Sequence, residues 1–198
     1  MNDGRAEAYF HTFFLNLYLI SNSNSIIMLF SKNELVALFN ANNQNQPKAK
    51  YSNNVILNML DCLPMDFEAD IEPTRNGFAV NRGSLVECII KAVVCNDYHA
   101  TKSSCKVADL DTRKLNAQQL ALVNGVVSSN IEIKFSTSFA PATRKTSKAH
   151  KTILVCESGI YMIDSKNIIP TKSGKINVNN QKAKDLIELT ELMDLLGY

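Results

Sequence analysis

Residues 129–137 read Ser-Asn-Ile-Glu-Ile-Lys-Phe-Ser-Thr. Apolar and polar residues alternate through this stretch, which is the pattern of a β-strand with one buried face. The two isoleucines and the phenylalanine then share one face, and Glu132 and Lys134 share the other. When the two groups lie side by side on a strand, the carboxylate can bind a divalent cation and the ammonium can hold a water molecule beside it. The stretch therefore bears on function as well as on fold.

Upstream, the sequence predicts a helical N-terminal region. Ser31-Lys32-Asn33-Glu34 is a capping-box pattern, which marks the start of a helix. The elements predicted here are a helix at 31–40, a polar loop at 41–52 and a second helix at 53–61. The following stretch, 64–82, contains prolines and glycines and is predicted to be irregular. We therefore place a boundary near residue 80, between an N-terminal region (1–80) and a core (81–198).

The core is predicted to mix helices with strands. Its elements in order are a helix at 84–94, a strand at 106–111, a helix at 116–123, the strand at 129–137, a loop around Pro141, strands at 152–157 and 160–164, and a helix at 180–196. This order predicts an α/β fold, with α+β left open, in which helices flank a small mixed central sheet.

The order of acidic residues in the core resembles that of a nuclease superfamily. Residues 82–165 resemble the PD-(D/E)xK nucleases, in which a helix glutamate precedes a strand aspartate and an acid-x-Lys tripeptide follows on the next strand. The matching residues here are Glu87, Asp109, Glu132 and Lys134. The resemblance implies a restriction-endonuclease-like core and a Mg²⁺-dependent endonuclease acting on DNA, for example a restriction or mobile-element enzyme.

The residue types suit that chemistry. Asp109 and Glu132 offer hard oxygen ligands for Mg²⁺, or for Mn²⁺ in its place, and the carbonyl of Ile133 adds a third. Glu87 would hold a water molecule of the metal or a second ion, and Lys134 would position or activate the attacking water. Asp111 is a rival for the role of the strand aspartate.

The chain departs from the family pattern in two ways. Ala108 stands where the namesake proline of the motif would be. In addition, 23 positions separate Asp109 from Glu132, with a predicted helix between them. The second departure leaves the choice of aspartate open.

Each candidate also has a structural interpretation. Glu87 follows Ser84 by three residues and could cap its helix, and Asp109 could begin a turn. Glu132 and Lys134 could form the solvated face of an edge strand. Chance alone yields about one or two acid-x-Lys tripeptides in a chain of this composition. The chain has two, and we interpret the second, Asp164-Ser-Lys166, as a strand end that serves as an internal control.

A basic stretch follows the strand at 129–137. Its positive residues, with no acid among them, are Arg144, Lys145, Lys148 and Lys151. Such a loop suits contacts with DNA phosphates, although a merely solvated loop would have the same composition.

Bulk properties narrow the classes of protein. The chain has 198 residues, 45% of them hydrophobic, which suffices for one well-formed core. A net charge of +2 does not by itself indicate a nucleic-acid partner. Five cysteines without a Cys-x-x-Cys pair indicate reduced thiols and a cytoplasmic protein. Polar residues interrupt the apolar segment 8–30, so we predict no membrane span.

Two other classes of function stay open. One is a noncatalytic DNA-binding module on the same fold, and the other is a protein-interaction module without a nucleic-acid partner. The predicted C-terminal helix carries an apolar stripe formed by Leu186, Leu189, Leu192, Met193 and Leu196. This stripe is interpreted as core, with a homodimer surface as the alternative.

Overall fold

Five helices and eight strands make up the computed structural model over the residues that it describes. The described ranges are 29–45, 50–71, 80–100, 108–125, 130–135, 149–174 and 176–198. The helices are α1 (Lys32–Asn45), α2 (Lys50–Asp61), α3 (Arg82–Cys95), α4 (Ala117–Leu122) and α5 (Thr190–Leu195).

Both N-terminal helices are present and longer than predicted: the first continues beyond its predicted end, and the second begins before its predicted start. Glu34 closes the capping box, because its carboxylate accepts hydrogen bonds from the Ser31 backbone N–H at 2.8 Å and from the Ser31 hydroxyl at 2.7 Å. The predicted loop at 41–52 is wrong, since α1 continues to Asn45 and α2 starts at Lys50. Buried apolar side chains on both helices join the core, and such packing outweighs the weak helix propensity of an asparagine-rich sequence.

A small three-stranded sheet accompanies these helices. Its strands are β1 (Leu29–Ser31), β2 (Glu68–Asp70) and β3 (His99–Ala100). β1 runs antiparallel to β2, and β2 runs parallel to β3. Strand β2 was not predicted, because it lies in the stretch predicted to be irregular. At three residues it is too short to show an alternating pattern.

The second sheet has five strands and is mixed, as predicted. Its strands, in their order across the sheet, are β4 (Leu110–Asp111), β5 (Asn130–Phe135), β6 (Lys151–Cys156), β7 (Gly159–Asp164) and β8 (Leu186–Glu188). β5 and β6 are parallel, whereas the other three neighbouring pairs are antiparallel. The chain is therefore a mixed α/β structure in which helices accompany a mixed sheet.

The predicted helix at 180–196 is wrong. In its place the chain forms a 3-10 turn at Ala183–Asp185, strand β8 on the edge of the sheet, and the short helix α5. Leu189, Leu192 and Leu196 are buried in the main core. The interpretation of the stripe as core is thus confirmed for these three leucines.

One apolar cluster contains residues from both sides of position 80. It includes Phe39 and Leu60 from α1 and α2, Ile89 from α3, Ile131 from β5 and Leu192 from α5. Helix α3 therefore packs between the N-terminal helices and the five-stranded sheet. Across the described ranges, no helix combines the length and the apolar character needed to cross a membrane.

Candidate active site

Glu87 lies on helix α3 and pairs with a lysine of the same helix. Asn81 caps the helix by accepting a hydrogen bond from the Ser84 backbone N–H at 3.3 Å, so the alternative that Glu87 is the capping residue is wrong. Instead, the carboxylate of Glu87 accepts from the ammonium of Lys91, one helical turn further on, at 2.5 Å. Lys91 is buried, with only 8% of its surface exposed.

Asp109 lies against the backbone of β5. The antiparallel pairing of Leu110 with Ile131 carries the residue before β4 alongside the middle of β5. There Oδ2 of Asp109 accepts a hydrogen bond from the Ile133 backbone N–H at 2.7 Å. Asp109 and Glu132, which are 23 positions apart in the sequence, are therefore brought side by side by strand pairing. Helix α4 occupies part of this connection, close to its predicted range, with a capping box formed by Asn116 and Gln119.

Asp111 has a different partner. Its two carboxylate oxygens accept from Nε and Nη2 of Arg113 at 2.9 and 2.7 Å, and Oδ1 also accepts from the Arg113 backbone N–H at 3.1 Å. The hydrogen bonds from Arg113 lower the pKa of Asp111 to about 2. Both aspartates lie beside β5, but Asp111 caps the 3-10 turn Thr112–Lys114, so it is the carboxylate of Asp109 that is hydrogen-bonded to β5.

Glu132 and Lys134 form an ion pair with each other on β5. The Lys134 ammonium also donates to the carbonyl oxygen of Ile133 at 3.4 Å. Only 12% of the Glu132 side chain and 22% of the Lys134 side chain are exposed. Because β5 lies between β4 and β6, the alternative of a solvated edge strand is wrong.

The charges of two other carboxylates act on Asp109. Burial and the negative charge of Glu87 raise the pKa of Asp109 to about 6, and the charge of Glu132 adds to the rise. The Ile133 N–H and the Lys134 ammonium act in the opposite direction. An acid with a raised pKa among other acids is a common feature of functional sites.

We refer to Glu87, Lys91, Asp109, Glu132 and Lys134 as the acidic cluster. Two of its three carboxylates have a lysine partner. Lys91 pairs with Glu87, and Lys134 pairs with Glu132. Lys91 was not predicted as a site residue, although its position four residues after Glu87 places both side chains on one helix face.

The donor atoms of the acidic cluster match a hard divalent cation in kind. Within the described ranges, no three His, Cys, Asp or Glu side chains lie close enough together to hold a metal ion. The predicted ligand set asks for two carboxylates, Asp109 and Glu132, together with the carbonyl of Ile133. Asp109 and Glu132 are connected through β5, because the Asp109 carboxylate accepts a hydrogen bond from the backbone N–H of Ile133, the residue after Glu132. All three donors are oxygens of the kind that Mg²⁺ prefers.

The second acid-x-Lys tripeptide has a different environment. Asp164, the last residue of β7, forms an ion pair with Lys151 of the neighbouring strand β6. Hydrogen bonding from Lys151 lowers the pKa of Asp164. Lys166 is exposed in a 3-10 turn that starts immediately after the strand. The interpretation of this tripeptide as a strand end is confirmed.

The predicted phosphate-binding residues fall mostly on undescribed positions. Arg144, Lys145 and Lys148 lie outside the described residues, and Lys151 begins β6. The stretch from Arg144 to Lys151 contains no acidic residue. Asp164 supplies one for Lys151 from 13 positions further along the chain. The charge of Lys151 is thus already paired with that of Asp164.

Comparisons with known proteins return no relative. The chain matches no protein-family model, and searches of curated proteins and of solved structures give no significant match.

Proposed function

We propose that this protein is a Mg²⁺-dependent deoxyribonuclease that hydrolyses phosphodiester bonds inside DNA, with Mn²⁺ able to replace Mg²⁺. The observation that supports the proposal is that four predicted site residues, from three places in the chain, come together at Asp109. The charges of Glu87 on α3 and of Glu132 and Lys134 on β5 act on the carboxylate of Asp109, the residue immediately before β4. This carboxylate also accepts a hydrogen bond from the backbone of β5.

Each residue has a proposed task. Asp109, Glu132 and the Ile133 carbonyl would hold the divalent cation. When bound, such a cation stabilises negative charge on the phosphate and lowers the pKa of its bound water. The Ile133 N–H keeps the Asp109 carboxylate oriented. Lys134, whose ammonium contacts both Glu132 and the Ile133 carbonyl, would move to the attacking water or to the scissile phosphate.

The fold and the substrate belong to the same proposal. The order of a helix acid, a strand acid and an acid-x-Lys strand supports a PD-(D/E)xK-type, restriction-endonuclease-like core over residues 81–198. Arg144, Lys145 and Lys148 are proposed to contact DNA phosphates from the connection between β5 and β6. A restriction or mobile-element enzyme would use these parts in this way, in the cytoplasm of its host.

One observation favours a second candidate, a noncatalytic DNA-binding or protein-interaction module. Glu87 and Glu132 each already have a lysine partner. Partly buried ion pairs of this kind can serve to specify the packing of a core without any catalytic task. In that case the acidic cluster would tolerate the loss of Lys134, provided that Glu132 was replaced in the same variant.

The first test is cleavage of linear, supercoiled and branched DNA by the purified protein with Mg²⁺ or Mn²⁺, and with EDTA. We expect metal-dependent cutting that Glu132→Gln abolishes. The matched control is Lys166→Ala, which alters the second acid-x-Lys tripeptide and should cut like the wild type. Salt-sensitive DNA binding without cutting would favour the noncatalytic module. Cutting that survives Glu132→Gln would contradict the proposed site.

A further inference from the structure

Lys91 is a charged residue in an apolar part of helix α3. Its neighbours along the helix, including Ile89, Ile90 and Ala92, are completely buried. Removing an ammonium group from water costs free energy, and an ion pair repays this cost only in part. An apolar residue would serve packing alone at least as well, so the position of Lys91 calls for a reason other than stability.

The partner of Lys91 supplies that reason. Its ammonium lies 2.5 Å from a carboxylate oxygen of Glu87, the acid that could otherwise hold a second metal ion. Glu87 still acts on Asp109 through its charge, but no group of three acidic ligands is assembled among the described residues. The ammonium of Lys91 is thus the cation that neutralises Glu87.

The charges of the acidic cluster agree with a single ion. Glu87 and Lys91 cancel each other, which leaves the two negative charges of Asp109 and Glu132 when both are ionised. One divalent cation would neutralise these two charges and release Lys134, with its charge unpaired, for the phosphate. A second divalent cation at Glu87 would have to displace Lys91, whose side chain is more deeply buried than that of Lys134 (10% against 22% exposed).

We propose that Lys91 takes the place of a second divalent cation at Glu87, so that the acidic cluster binds one metal ion per chain. This inference rests on the proposed function, because it presupposes an ion at Asp109 and Glu132. Lys91 is a positioning residue in this proposal, since it acts through Glu87.

The test counts bound Mn²⁺ on the full-length chain without DNA, by electron paramagnetic resonance of the free ion during a titration. We expect one Mn²⁺ per wild-type chain, lost in Glu132→Gln. Lys91→Met, which removes the charge and keeps the length of the side chain, should bind two. Lys91→Gln also removes the charge but can still donate a hydrogen bond to Glu87, so it provides a second neutral variant for the same count.

Two controls show that charge is the cause. Lys91→Arg keeps the positive charge and should bind one ion, and the double variant Lys91→Met with Glu87→Gln should return to one. Two ions on the wild type, or one ion on both neutral variants, would overturn the role of Lys91 while leaving the nuclease proposal standing. Absence of Mn²⁺ from the wild type and from every variant would overturn this inference together with the proposed metal site.

Discussion

The chain contains the acid-x-Lys pattern twice, and the charged side chains of the two copies have different partners. In the first copy, β5 continues through Lys134, so both charged side chains lie on one face and pair with each other. In the second copy, β7 ends at Asp164, and this residue pairs with Lys151 of the adjacent strand. An acid-x-Lys tripeptide thus becomes a candidate site only where the strand continues through it and further acids lie beside it.

The two regions also differ in the sign of their electrostatic effects. At the first, burial and neighbouring acids raise the pKa of Asp109 to about 6. At the second, hydrogen bonding from Lys151 lowers the pKa of Asp164. A crowded group of carboxylates opposes its own ionisation, whereas an isolated ion pair favours it. Variants at the two places should therefore give opposite results.

The largest difference is expected in catalysis. Lys134→Ala should reduce the cleavage rate by about a hundredfold or more, because the proposed task of Lys134 belongs to the chemical step. Mn²⁺ binding by this variant should be retained or tighter, since its ammonium no longer competes for Glu132 and the Ile133 carbonyl. Lys166→Ala should leave both quantities unchanged. Equal rates for the two variants would remove the distinction between the tripeptides.

The next effect concerns the pH dependence of stability without metal. Folded Asp109 keeps its proton up to a pH of about 6, whereas the unfolded chain loses it near about 4. The folded state therefore binds more protons between these values, and its stability falls as the pH rises through them. Asp109→Asn should be more stable than the wild type at pH 7 by about 2 kcal/mol and equal to it below about pH 4.

Urea unfolding in EDTA at several pH values measures this difference. Asp111→Asn is the control, because the pKa of Asp111 is lowered by Arg113 and its contribution has the opposite sign. An Asp109→Asn variant that is less stable than the wild type at pH 7 would show that the carboxylate is not crowded as described.

A smaller effect is expected in DNA binding. Lys148→Ala should weaken binding to all sequences alike and reduce the slope of log K against log salt by about 1. Lys151→Ala should change the slope less, because Asp164 already compensates its charge. Binding measured by fluorescence anisotropy at four salt concentrations would decide. A larger change for Lys151 would mean that DNA displaces Asp164 from it.

The smallest effect is expected at the second tripeptide itself. Asp164→Asn should lower stability at pH 7 by less than about 1 kcal/mol, since the pair with Lys151 is partly solvated. The pKa of Asp164 is lowered in the folded state, so the difference should disappear as the pH falls through that pKa. Thermal unfolding at pH 7 and at pH 3 measures it, and a loss that persists unchanged at pH 3 would exclude the ion pair as its cause.

Local sequence predicted the elements whose patterns are local. The alternation at 129–137 corresponds to β5, and helix α4 lies within its predicted range because Asn116 and Gln119 form a capping box. The predictions that failed were those that tertiary contacts decide. The leucines at 186–196 are spaced as in a helix, yet residues 186–188 pair with the edge of β7 and form strand β8.

The candidate site divides in the same way. The sequence by itself determined that Glu132 and Lys134 share a face of a strand, and that acids precede them on a helix and near a strand end. Only the tertiary structure decided that the carboxylate of Asp109 rather than that of Asp111 is hydrogen-bonded to β5, and that Lys91 pairs with Glu87. Periodicity depends on neighbours along the chain, whereas the partner of a charge depends on neighbours in space, which strand pairing and helix packing bring together.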